Sequence, residues 1–324
     1  MAVSRLRFVF KDAGTYYIDL ARALSLQERR MHRQKMIYTV YGGQMASHTD
    51  TSNSTETVKI NTIPNTWPMK LAINRGFRLW KKQRSIAMKN ADLPRGISAK
   101  YSDFKILMNS HHNETGETEA DTEGYTILPS SSHDANLWNA NVPEWSAADI
   151  VFSPVGQEDN NVMPVEDTFV LMAVGGTHSS STSNNVTTYT RVSLIRSWLD
   201  SRATPDTSGD PVLDADFNLD PLNNLFSNDD NQDEILDLID SENDTPPYDE
   251  HDVFGSCQST STYDNLQRQC VVISTQYNKI QPVAGFQALC GLIQVKVDES
   301  SAGDIVDDKE VELILDVETK GMKF

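Results

Sequence analysis

The sequence predicts a mainly β chain: an antiparallel sandwich or barrel with two α-helices in its N-terminal half and long loop insertions. Three observations carry this. About nine short runs are rich in β-branched and aromatic residues. Stretches of Gly, Pro, Ser and Asn separate them at irregular intervals. The strand–helix–strand alternation of a doubly wound sheet is missing.

The elements follow in chain order. Residues 15–34 place Tyr17, Leu20, Leu24 and Met31 on one stripe at helical spacing, which predicts an amphipathic helix. Residues 35–46 and 56–64 predict strands, bounded by Gly and Pro, with the polar "SHTDTSNST" between them. Residues 66–90 predict the second helix, with Ile73, Phe77 and Trp80 as its buried stripe. Strand-like runs then fall at 103–109, 148–153, 167–175, 186–196, 269–276, 288–297 and 310–318. Residues 111–145 read as a polar loop insertion anchored by Trp138 and Trp145. Residues 205–256 read as an acidic surface insertion, with one short helix at 231–241. No repeat is visible, so residues 1–324 are expected to form a single domain carrying these two insertions.

No apolar run is long enough to cross a membrane as a helix, and the first residues lack a signal-peptide pattern. Neither a membrane partner nor secretion is expected. Cys257, Cys270 and Cys290 are too widely spaced for a zinc knuckle and predict free, buried thiols.

Charge is divided along the chain. The formal net charge is −18. Yet residues 1–110 hold 19 Lys and Arg against 7 Asp and Glu. No acid lies between Glu56 and Asp92, while residues 72–90 alone hold six cations. Concentrated cations are the footprint of polyanion binding, because each neutralised phosphate releases counterions. The candidate nucleic-acid patch is Arg22, Arg29, Arg30, Arg33 and Lys35 with Arg75, Arg78, Lys81, Lys82, Arg84 and Lys89. The competing readings are a solvated helix face, or cations that pair with acidic loops of a neighbouring copy.

The chain contains no phosphate-binding P-loop, dinucleotide fingerprint, nucleophile elbow or zincin motif, and no catalytic residue is assigned. The chain is not expected to be an enzyme. His111 and His112 point to opposite faces of an extended chain and make a poor chelate; His112 near Glu114 offers a metal pair as the alternative to a plain polar loop, and the loop is the expectation. Asp214, Asp216, Asn218 and Asp220 alternate like calcium ligands. Leu219 replaces the tight-turn glycine of an EF-hand and Leu225 its closing Glu. A calcium ion held by acidic loops and a solvated loop remain the two readings, and no cofactor is assigned.

Several segments carry a resemblance. "YYIDLARALSLQERRMHRQ", "TIPNTWPMKLAINRGFRLWKKQ" and "AKYSDFKILMN" are followed in order by "LIRSWLDSRA", "NDTPPYDEHDVFG", "GFQALCGLIQVKV" and "ELILDVETKGMKF". In this order and spacing the chain resembles the capsid proteins of uncultured, mostly aquatic, circular Rep-encoding single-stranded DNA viruses. The resemblance implies a single jelly-roll antiparallel β-sandwich. It implies self-assembly of many copies into an icosahedral shell around a circular single-stranded DNA genome. It also implies a virion location after assembly inside a host cell, and no catalysis. One departure is the lack of a long Arg-rich N-terminal arm: only Arg5, Arg7 and Lys11 lie in the first eleven residues. On this reading the basic helices face the genome and the acidic insertion faces outward or a neighbour. Two other classes predict different behaviour. A non-assembling single-stranded nucleic-acid-binding protein would stay small in solution, with Trp67, Trp80 and Tyr101 as candidate stacking platforms. A carbohydrate-binding or adhesive spike would expose an aromatic groove.

Overall fold

Alternation decides the principal sheets. The strand Val311–Glu318 (β13) buries Val311, Leu313, Leu315 and Val317 and turns Glu312, Ile314 and Asp316 outward. It lies between Val3–Phe10 (β1) and Ile37–Ser47 (β3), antiparallel to both. Ile280–Val283 (β10) and Phe286–Leu289 (β11) both pair with β3, which completes the first sheet in the order β1-β13-β3-β10. The second sheet is also antiparallel. It runs Gly14–Asp19 (β2), Leu292–Ser300 (β12), Thr55–Thr62 (β4), Gln267–Ser274 (β9).

The computed structural model that gives this architecture describes residues 2–10, 13–48, 55–90, 103–109, 111–112, 126–129, 149–152, 167–175, 179–183, 186–200, 266–275, 277–300 and 311–323. Both sheets empty their apolar faces into one core. Phe8, Phe10, Tyr38, Met45, Leu313 and Leu315 come from the first sheet, and Tyr16, Ile18, Val58, Ile60, Ile293 and Val295 from the second. The protein is therefore mainly β, an antiparallel sandwich.

Contacts divide the chain into two compact units. Residues 1–65, 99–147 and 266–324 form the first, and 66–98 with 148–265 the second. The sandwich belongs to the first. The second holds Trp67–Asn90 (α2), Leu194–Asp200 (α3) and a sheet of its own: Asp149–Phe152 (β5), Asp167–Met172 (β6), Val186–Ser193 (β8) and Ser179–Ser183 (β7) in that order. In this sheet β6 and β8 run parallel.

Several expectations need correction. Residues 15–34 are not one helix. Gly14–Asp19 pairs with β12, and only Leu20–Glu28 (α1) is helical. Asp19 ends the strand and caps the helix, its carboxylate accepting the Ala21 and Arg22 N–H groups at 2.9 and 3.1 Å. Residues 103–109 are buried throughout but are not a strand of any sheet. Side chains satisfy part of their backbone: Gln34 Oε1 accepts the Ile106 N–H at 2.6 Å, and His112 Nδ1 that of Met108 at 3.0 Å. Residues 288–297 are two strands. Cys290 and Gly291, both at positive φ (59° and 69°), turn the chain from β11 in one sheet to β12 in the other. A Cβ at Gly291 would lie 2.9 Å from the Tyr38 ring, so both space and dihedral ask for glycine there. The run 186–196 ends in α3, and β1, β7 and β10 fall outside the runs read from sequence. Residues 205–256, the helix at 231–241, Trp138, Trp145 and most of 111–145 lie outside the described residues.

On the outer side of β1, Arg5 pairs with Asp316 at 2.7 Å and Arg7 with Glu312 at 2.5 Å. His48 Nε2 also reaches Glu312, at 3.3 Å. The hydrogen bond from Arg7 holds the Glu312 carboxyl below its ordinary range, and that from Arg5 does the same for Asp316. A depressed folded pKa contributes stability above the unfolded carboxylate range, near pH ~4, that is lost as pH falls through the folded value. The urea midpoint is therefore expected to drop on acidification below about pH 4, and Arg7→Ala to flatten that limb. Superimposable acid limbs in the two proteins would remove the ladder from the account.

Candidate nucleic-acid interface

α2 forms for local reasons. Thr66 Oγ1 accepts the Met69 N–H at 3.5 Å, and Pro68 sits in the first turn, where a missing N–H costs nothing. Ala, Leu, Met, Lys, Arg and Gln then sustain the helix, and Lys89 lies in its last turn, where the helix dipole favours a cation.

The buried stripe of α2 is Met69, Ala72, Ile73, Gly76 and Leu79. The sequence-based stripe of Ile73, Phe77 and Trp80 is thus displaced to one side. Phe77 and Trp80 are half-buried on its margin, with their rings 6.2 Å apart, and the Arg84 guanidinium lies 5.8 Å from the Trp80 ring centre. Tertiary contact chooses the stripe, because several faces of α2 are apolar enough to serve.

The opposite face carries Trp67, Leu71, Arg78, Lys81, Lys82, Ser85 and Lys89, all exposed. They recur at intervals of three, four or seven residues and so share one side of a helix about 36 Å long. Arg78, Lys81, Lys82 and Lys89 make no ion pair with any described residue, and no residue from Lys81 to Lys89 is buried. Arg75 is half-buried beside this face. Four exposed cations with no ion-pair partner among the described residues make an electrostatic surface suited to phosphates.

The first basic cluster is different. Arg22 is only 6% exposed, beside Asp19, and burial lowers its pKa. It cannot meet a phosphate from that position, so it leaves the candidate set. Arg30 bonds the Glu28 carboxylate at 2.5 Å. Arg33 lies 3.6 Å from Asp103, whose buried carboxyl is pushed up by desolvation despite the guanidinium. Lys35 is half-buried. Arg29 is exposed and closes α1 in the left-handed region at φ 56°. Within this cluster the cations therefore divide between fold and surface.

His112 also departs from the plain loop expected of it. Its Nδ1 accepts from the Met108 backbone, its Nε2 lies 2.8 Å from Thr126 Oγ1, and its ring stacks on Tyr17 at 4.4 Å. Tyr17 donates to Asn109 Oδ1 at 2.8 Å and accepts from Gln294, which in turn accepts from Asn61. Tyr17, Gln294 and Asn61 are register neighbours across β2, β12 and β4. Alternation places these polar residues on the outer face, but nothing in the sequence says that 103–112 will cover them.

Among the described residues no group of three His, Cys, Asp or Glu side chains could hold a metal. Asp214, Asp216, Asn218 and Asp220 lie outside the described residues, as do Glu114, Tyr101 and Cys257. Cys290 is buried and Cys270 half-buried, and burial raises both thiol pKa values, as free unreactive thiols require. No family model, no curated protein and no solved structure matches this chain.

Proposed function

We propose that the chain is a viral coat protein, a single jelly roll whose copies assemble into an icosahedral shell around single-stranded DNA. The observation that carries this reading is the strand order. β1-β13-β3-β10 faces β2-β12-β4-β9, and from β1 to β4 and from β9 to β13 the chain passes back and forth between the sheets. A two-sheet order of this kind, nine strands with β10 and β11 both paired to β3, supports a jelly roll, an architecture of viral coats and of lectins. Fold alone does not choose between those uses. The ordered resemblance along the sequence favours the coat, and the cationic face of α2 favours a polyanionic cargo. The strands β9 and β10, at the ends of the two described sheets, add a third support. Val271 and Ile273 on β9, Tyr277 in the following turn and Ile280 on β10 are exposed apolar side chains beside edge strands. Such edges ask for cover, and a repeated contact between copies supplies it.

Negative-stain microscopy of the purified protein, with nuclease digestion of whatever nucleic acid travels with it, tests the reading. Uniform spheres protecting single-stranded DNA are expected. Small discrete particles would overturn the shell. If those particles still bound single strands with a strong salt dependence, the non-assembling binder would take its place, carried by α2 alone.

A further inference from the structure

We propose that Trp67 is a base-stacking platform at the N-terminal end of the cationic face of α2, so that this face takes single-stranded rather than duplex nucleic acid. The proposal rests on the reading of α2 as a nucleic-acid interface and adds the residue that would meet the bases.

Trp67 is 43% exposed, unusual for so large an apolar ring. It is nevertheless held: its ring meets that of Trp198 edge-on at 5.4 Å and 87°, and Trp198 is itself only 7% exposed. A ring fixed in this way loses little rotamer freedom when a ligand lands on it. Leu71, one turn on and also exposed, extends the apolar surface. Arg78, Lys82 and Lys89 then continue along the same side, the last about 33 Å from Trp67 by helical rise. The face thus passes from an aromatic end to a charged run, with no acid in the helix.

That combination matches the chemistry of an unpaired strand. Cations follow the phosphates, and an aromatic face takes a base of any identity. In a duplex the bases are stacked on one another, so a flat surface platform reaches only phosphate and sugar. Duplex binding would use the lysines and leave Trp67 idle.

Fluorescence anisotropy with the full-length protein separates the possibilities. The probes are a labelled oligo-thymidine, an abasic strand of equal length and a duplex. Trp67→Ala is expected to weaken oligo-thymidine binding about tenfold and to leave abasic-strand binding and its salt slope unchanged. Trp67→Phe should recover most of the loss. No loss on oligo-thymidine, or an equal loss on the abasic strand, would overturn the platform while leaving α2 as a phosphate surface. If the wild-type protein bound neither strand, the interface reading itself would fall, and the platform with it. A second measurement needs no variant. Wild-type protein irradiated with a bromodeoxyuridine oligonucleotide should yield its principal adduct on the peptide containing Trp67. An adduct mapped only elsewhere would overturn the assignment.

Discussion

Changing Arg78, Lys82 and Lys89 together to glutamate is expected to strip the protein of nucleic acid while leaving its fold intact. The three side chains are exposed, make no ion pair with a described residue and contribute nothing to the buried stripe of α2. Each phosphate contact on a single strand contributes about 0.7 to the logarithmic salt slope. Losing three lowers the slope by roughly 2 and the affinity by about 100-fold at physiological salt. Absorbance ratios of the purified particles and a salt titration with a labelled single strand read the two effects. An unchanged nucleic-acid content would remove α2 from the interface. Loss of particles with strand affinity retained would instead assign this face to contacts between copies. The same triple change in the first basic cluster would be uninformative. Glutamate at Arg22 would put an acid beside Asp19 in a buried site, and a failure to fold would hide any effect on binding.

Phe8→Ala is expected to produce the largest loss of stability. Phe8 is fully buried, opposite Leu313 in the β1–β13 register, in the core that both sheets share. Truncating such a ring costs about 3–5 kcal/mol, because the removed surface loses its transfer energy and the surrounding sheets cannot close on the cavity. A domain is typically stable by only ~5–15 kcal/mol, so the variant would unfold at a much lower urea concentration and yield few particles. An unshifted urea midpoint would mean that the core is not closed around Phe8 as described.

The two variants probe different kinds of information. β4, β9 and β13 were legible because one face of each meets the core, and period-two alternation records that directly. α2 was legible because its apolar and cationic stripes both recur at helical spacing. β2 was misread because Tyr17, Leu20 and Leu24 happen to share a helical stripe. They serve two different surroundings: Tyr17 the polar network outside the second sheet, Leu20 and Leu24 the core beneath α1. β1 shows the converse. Its alternation of Arg5 and Arg7 with Leu6, Phe8 and Phe10 was present, but its cations find their carboxylates on β13, some three hundred residues away. A local window cannot contain such a pairing.

The amino-acid order by itself determined the polarity of charge, the acid-free run through α2 and the alternation of most of the sandwich strands. These are properties of neighbours along a chain. Only the tertiary structure decided which cations remain available: Arg22 and Lys82 look alike in composition, yet one is enclosed beside Asp19 and the other faces water. The reason is physical. The charge of a guanidinium or ammonium group is intrinsic to the residue, whereas its desolvation depends on which distant segments come to lie over it.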